Sequence, residues 1–189
     1  MNKLLGVVMC GGESRRMGTD KGLIPQGNQT WAQLCHAKLS GLNIGVVASV
    51  NQSQVSNYQA IFKNDDMVTD ALQIPGPLNG ILSVHIKHPD SDLLILACDM
   101  LNMDTSTILQ LVNKYHSQPG RDFYAYHNGE FFEPLCAIYA AKGLSGLKQK
   151  FDDARLGNYS LQQVLKSGNM VQLQVLDIGH FKNYNYRAV

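Results

Sequence analysis

Short apolar runs alternate with helix-like stretches along this chain, and this alternation restricts its fold more than any other feature. Residues 4–9, 44–50 and 93–97 are almost continuously apolar, as expected of strands buried on both faces. Between the first two, Thr30 can cap a helix that reaches about Leu42. Repeated strand and helix units predict a mainly parallel sheet with helices on both faces.

Weaker signals extend the same pattern. They predict a helix opened by Ser53, a short strand over 66–69, a turn-rich loop over 74–80, a helix over 81–87 and another capped by Asp104.

The last third departs from the alternation. Asn128 and Gly129 separate strand-like runs over 123–126 and 131–139, which predicts an antiparallel hairpin. Ser160 and Gln163 have capping-box spacing for a short helix, and residues 170–178 alternate like a half-buried strand. We therefore expect a single α/β domain over residues 1–189, with an antiparallel addition in its C-terminal third.

Composition excludes several classes of function. The 189 residues carry a net charge of +1, which gives no general attraction to a nucleic-acid backbone. No apolar stretch is long enough to span a membrane and no cleavage site follows the start, so a soluble cytoplasmic protein is expected. The four cysteines form no C-x-x-C pair, which favours reduced and mostly buried thiols.

The stretch CGGESRRMGTDKG, residues 10–22, follows the first predicted strand. In an open α/β sheet, ligands bind at this end of the strands. Gly11 and Gly12 can turn backbone N–H groups toward an anion, and Arg15, Arg16 and Lys21 suit a polyphosphate. The stretch matches neither a Walker loop nor the dinucleotide fingerprint. The alternative is a plain glycine turn with solvated arginines.

A carboxylate follows the most apolar predicted strand. Asp99 would share an edge of the sheet with the glycine loop, and Mg²⁺ favours one or two carboxylates together with phosphate oxygens. The alternative is a helix cap or a solvated acid. His85 and His88 lie three residues apart, but without a third ligand nearby we expect them to be solvated.

The pattern GG-x-S-x-R-M-G-x-D-K over residues 11–21 resembles the signature of nucleotidyltransferases related to the molybdenum cofactor guanylyltransferases. The resemblance implies a three-layer α/β/α Rossmann-like fold. It also implies a set of nucleotide-binding residues around this loop: Met9, Cys10, Gly11, Gly12, Ser14, Arg15, Arg16 and Lys21. Arg16 and Lys21 would lie on the phosphates.

Further segments extend the resemblance. Residues 97–100 resemble a C-D-M-P-like segment, with Leu101 where proline is usual, and residues 76–80 resemble a G-P-L-x-G loop. The resemblance places Ser49, Asn51, Asp70, Gly80 and Asp99 at the nucleotide, with Ser49 departing from the usual asparagine. It places Glu133 and Pro134, from an E-P-L-x-A segment, and Asn183 and Asn185, from an N-x-N segment, at the acceptor.

The resemblance implies transfer of GMP from GTP to the phosphate of molybdopterin or the molybdenum cofactor, with release of pyrophosphate. Mg²⁺ on Asp99 would be the cofactor, and Arg16, Lys21, Asp99 and Asn185 the catalytic residues. The alternatives are a cytidylyltransferase acting on molybdopterin or an isoprenoid phosphate, and a non-catalytic nucleotide-binding module. Partner proteins would belong to cofactor biosynthesis or molybdoenzyme maturation.

Overall fold

The computed structural model describes residues 2–11 and 20–184. Nine strands are present in this part of the chain: β1 Lys3–Met9, β2 Pro25–Gln26, β3 Gln29–Thr30, β4 Gly45–Val50, β5 Met67–Thr69, β6 Ser91–Ala97, β7 Phe123–His127, β8 Phe132–Tyr139 and β9 Met170–Gln174. The α-helices are α1 Trp31–Ser40, α2 Val55–Tyr58, α3 Pro77–Lys87, α4 Thr105–Ser117, α5 Ala141–Asp152 and α6 Leu161–Ser167.

Seven of these strands form one sheet in the order β5-β4-β1-β6-β8-β7-β9, while β2 and β3 form a small hairpin. In the large sheet only β8 runs against its neighbours; the other pairings are parallel. The chain moves from β1 out to β5 and then returns to β6 on the other side of β1. The order of the strands therefore reverses between β1 and β6, which is where open α/β sheets bind ligands.

Helices cover both faces of the sheet. The side chains of α1 and α4 pack on one face, with Tyr58 of α2, and those of α3, α5 and α6 pack on the other. This arrangement confirms the predicted three-layer fold, with its mostly parallel sheet and its antiparallel addition. The four cysteines are free and buried, as expected.

Two helices differ from the prediction near the site. A 3₁₀ turn over Gln52–Gln54 precedes the single turn of α2, and its cap is Asn51, not Ser53. Helix α3 begins at Pro77, four residues before the predicted start, because Gly76 adopts φ +80° and proline suits the first helical position. The apparent turn over residues 76–80 is thus mostly the first turn of a helix.

Other differences lie farther from the site. Helix α5 and the β2–β3 hairpin were not predicted, Ser160 makes no capping hydrogen bond, and β9 ends at Gln174. The prediction for His85 was wrong: the ring is buried, and Nε2 lies 3.1 Å from Ser145 Oγ.

Within residues 2–11 and 20–184, no helix has the length and apolar character needed to cross a membrane.

Candidate functional site

The loops after β1 and β6 leave the sheet side by side. Met9 and Ala97 are the last paired residues of these strands, and the Cys98 N–H donates to the Met9 carbonyl at 3.1 Å. Asp99 follows directly, so its carboxylate lies where the order of the strands reverses. The Tyr184 N–H donates to the Asp99 carbonyl at 3.1 Å and fixes this backbone from the other end of the chain.

Lys21 meets Asp99 at this edge. Lys21 Nζ lies 2.7 Å from Asp99 Oδ2, and the two side chains are 22% and 14% exposed. Because the pair is largely shielded from water, its attraction is stronger than that of a surface ion pair. The structure thus brings together two residues that the sequence placed 78 positions apart.

A pocket of about 730 Å³ opens at the same edge of the sheet, over the ends of β1, β4 and β5. Met9, Gly11, Ser49, Asn51, Asp70 and Gly80 line it, with further residues from 52–53 and 74–79. The volume falls within the roughly 300–1,000 Å³ of typical small-ligand sites. The first turn of α3 forms one wall, so its N–H groups favour a polar or anionic ligand.

The floor of this pocket is tightly packed. A Cβ on Gly80 would lie 2.8 Å from Met9 Cε and closer still to Ser49 Oγ, so only glycine fits there without a shift. Ser49 is 1% exposed, and its hydroxyl has no hydrogen-bond partner among the described residues. Burial also raises the pKa of Asp70, whose carboxylate faces the same space.

The backbone after β1 is held differently from the expected anion-binding turn. The N–H groups of Cys10 and Gly11 both donate to the Ser49 carbonyl, at 2.9 and 3.0 Å. The Gly11 N–H is therefore engaged within the protein and does not point at a ligand. What these bonds provide is a fixed spacing between the ends of β1 and β4.

The sequence of this chain between residues 6 and 171 matches the model of the MobA-like NTP transferase domain. The chain belongs to the MobA-like NTP transferase family. The matched residues include part of β1 and β9, the whole of the other strands of the large sheet, and both members of the Lys21–Asp99 pair.

Two relatives and one solved structure illustrate this membership. The molybdenum cofactor guanylyltransferase of Syntrophotalea carbinolica is 31% identical over 85% of this chain and 73% of its own length. The molybdenum cofactor biosynthesis bifunctional protein of Synechocystis is 32% identical over 75% of this chain, which spans only 40% of that longer protein. The crystal structure of molybdopterin-guanine dinucleotide biosynthesis protein A from Archaeoglobus fulgidus, at 20% identity, has the same fold, with a TM-score of 0.76 over 97% of this chain and 93% of that one.

In this MobA-like domain, the predicted acceptor residues that the structure describes lie at the same edge of the sheet. Strand β8 runs antiparallel to β6, and Leu96 pairs with Cys136, so the start of β8 lies beside the end of β6. Glu133 and Pro134 at that start are half-buried, and burial raises the pKa of Glu133. Asn183 is exposed one residue before Tyr184.

The predicted residues Gly12, Ser14, Arg15, Arg16 and Asn185 lie outside the described residues. Two features at the edges of the described site were not predicted from the sequence. Asp20, Gln54 and Tyr58 form a hydrogen-bonded group next to Lys21. A second pocket, of about 510 Å³, lies between Trp31, Leu101, Asn102 and Tyr184. The only signal for the first group was the spacing of Asn51 and Gln54, which is that of a helix cap.

Proposed function

We propose that this chain transfers GMP from GTP to the phosphate of molybdopterin or its molybdenum-loaded form and releases pyrophosphate. The observation that carries the proposal is the shielded Lys21–Asp99 pair at the reversal point of the strand order, at the same edge of the sheet as a ligand-sized pocket. Support for the substrates comes from relatives that are named molybdenum cofactor guanylyltransferases.

The 730 Å³ pocket would hold the base and ribose. A buried hydroxyl without a partner, such as that of Ser49, costs the folded protein about 1–3 kcal/mol, and a hydrogen bond from a bound base would remove this cost. Asp70 and Asn51 offer further polar groups along the same wall. The absent side chain at Gly80 lets its backbone pack directly against the Ser49 hydroxyl and Met9 beneath this pocket.

The phosphates would extend from this pocket toward Lys21. An oxygen of the acceptor phosphate would form a bond to the α-phosphorus while the bond from that phosphorus to the bridging oxygen of pyrophosphate breaks. Lys21 would neutralise the charge that builds on the leaving pyrophosphate, and Arg16, from the adjoining segment, would assist it. Glu133, Pro134, Asn183 and Asn185 would hold the acceptor.

Asp99 is the residue that would hold Mg²⁺. No cluster of three or more candidate metal ligands occurs among residues 2–11 and 20–184, so these residues alone do not provide a full cage. A single carboxylate nevertheless fits Mg²⁺, because this ion is usually held by one or two carboxylates plus substrate phosphates and water. When bound, the ion would supply charge neutralisation of the phosphate oxygens.

The test is pyrophosphate release from each of the four nucleoside triphosphates, with Mg²⁺ and molybdopterin. We expect release with GTP, and about a 100-fold lower rate in Asp99→Asn. The control is Asp152→Asn, which breaks the Lys148–Asp152 pair of the same 2.7 Å length near the end of α5. Release with CTP alone would identify a cytidylyltransferase, and tight GTP binding without release a non-catalytic module; either result contradicts the proposal.

A further inference from the structure

A buried hydrogen-bonded group joins the two ends of the glycine- and arginine-rich segment, residues 11–19. Gln54 is 7% exposed, and its Nε2 donates to the Cys10 carbonyl at 3.1 Å and to Asp20 Oδ2 at 2.6 Å. Cys10 lies just before this segment and Asp20 just after it. One side-chain amide therefore sets the distance between the two ends, and we refer to Asp20, Gln54 and Tyr58 as the Gln54 clamp.

The carboxylate of Asp20 is held from three sides. Besides Gln54, it accepts hydrogen bonds from the Gly22 N–H at 3.0 Å and from the Tyr58 hydroxyl at 2.8 Å. Tyr58 is fully buried, and burial raises the pKa of its phenol, so the hydroxyl keeps its proton and acts as a donor. Hydrogen bonds to a charged acceptor are roughly twice as strong as neutral ones, which makes Asp20 a fixed point in this loop.

The clamp reaches both parts of the proposed site. Asp20 caps the 3₁₀ turn Lys21–Leu23 and so orients the backbone of Lys21, whose ammonium contacts Asp99. On its other side, Gln54 Oε1 accepts the N–H of Asn51 at 2.8 Å, and Asn51 lines the 730 Å³ pocket. The Gln54 amide thus bonds to Asn51 in the pocket wall, to Cys10 before the loop and to Asp20, which directly precedes Lys21.

We infer that the Gln54 clamp consists of positioning residues for a triphosphate: they hold Lys21, through Asp20, in the geometry that binds the phosphates, without touching the nucleotide. The inference rests on the proposed function, because it assumes that the ligand is a nucleoside triphosphate. Its specific consequence is that weakening the hydrogen bonds to Asp20 lowers the affinity for phosphates and leaves the affinity for the nucleoside part unchanged.

The experiment compares Tyr58→Phe with Tyr115→Phe. Both phenols are buried, and each donates to a carboxylate that accepts three hydrogen bonds. The Tyr115 hydroxyl donates to Asp92 at 2.6 Å. Asp92 lies near the start of β6 and therefore at the opposite edge of the sheet. Each substitution removes one such hydrogen bond and keeps the aromatic ring. The urea concentration at the midpoint of unfolding should therefore fall by a similar amount in both variants. Only Tyr58→Phe should raise the Kd for GTP, by about five- to tenfold.

Guanosine is the second probe, because it lacks phosphates. We expect its Kd to be unchanged in both variants. A Tyr58→Phe protein that binds GTP as the Tyr115→Phe protein does, or that loses guanosine and GTP equally, overturns the inference; if the wild type binds GTP and releases pyrophosphate, the proposed function stands. A wild-type protein that binds no nucleotide refutes both.

Gln54→Met provides an independent measurement should Tyr58→Phe fail to fold. Methionine fills a similar volume but donates no hydrogen bond, so both ends of the loop are released together. Methionine also leaves the Asn51 N–H in the pocket wall without its acceptor. We therefore expect a Kd for GTP at least tenfold higher, with a smaller rise for guanosine. An unchanged Kd for GTP in a folded Gln54→Met protein overturns the inference.

Discussion

Replacing Gly80 with alanine tests the packing beneath the candidate nucleotide pocket. In the interior of a helix, alanine is favoured over glycine by about 1 kcal/mol. At Gly80 this gain is opposed, because the new Cβ would lie 2.8 Å from Met9 Cε and closer still to Ser49 Oγ. Overpacking of this kind costs about 1–3 kcal/mol, so the net effect of Gly80→Ala should be a loss of about 0–2 kcal/mol.

Gly146→Ala is the matched control. Gly146 also lies inside a helix, α5, but it is exposed and a Cβ there would meet nothing within 4 Å. This variant should gain the full propensity term of about 1 kcal/mol. Urea unfolding of both variants should therefore separate them by about 1–3 kcal/mol, and a GTP titration should show weaker binding in Gly80→Ala only.

Ser49→Ala identifies the contact responsible. Removing the Ser49 hydroxyl takes away the closest atom to the new Cβ, so Gly80→Ala should be less destabilising in the Ser49→Ala background than in the wild type. The expected coupling between the two substitutions is about 1 kcal/mol. If Gly80→Ala stabilises the protein as much as Gly146→Ala does, the reasoning about this pocket floor is refuted.

Two further substitutions test the neighbouring groups. Gly22→Ala would place a Cβ 3.1 Å from Tyr58 Cζ and closer still to its hydroxyl, so it should push the phenol away from Asp20. The free energy of unfolding, measured in urea, should fall by about 1–3 kcal/mol. An unchanged value would contradict the packing described. Because burial raises the pKa of Asp70 above its unfolded value, this carboxyl destabilises the fold as pH rises past that value. Asp70→Asn should therefore melt higher than the wild type at pH 7, and the difference should vanish below about pH 4; a difference that does not change with pH would contradict this.

The sequence predicted the central strands well because buried parallel strands are continuously apolar, as over residues 4–9 and 93–97. It missed α5 because this helix carries Gly143 and Gly146 and has no side-chain cap at Ala140. Gly143 is explained only by tertiary packing, since a Cβ there would lie 2.9 Å from the Phe123 ring. The reason for a glycine at this position therefore cannot be read from the local sequence pattern.

The candidate site divides in the same way. Lys21 and Asp99 could be singled out individually, because each follows a recognisable pattern, but their pairing depends on the β1–β6 neighbourhood. Gln54 and Tyr58 could not be singled out, because they lie 34 and 38 residues from Asp20 and in a different element. Their polar groups acquire a role only when β4 places them behind the loop.

The direction of β8 explains how one edge of the sheet serves both substrates in the proposed reaction. An in-line displacement needs the attacking and leaving oxygens on opposite sides of the phosphorus. The nucleotide pocket lies over β4 and β5 on one side of the Lys21–Asp99 pair, and β8 lies on the other side. Because β8 is antiparallel, it starts where β6 ends, and Glu133 therefore shares an edge with Asp99. A parallel strand in this position would have placed Glu133 at the far edge, away from the phosphates.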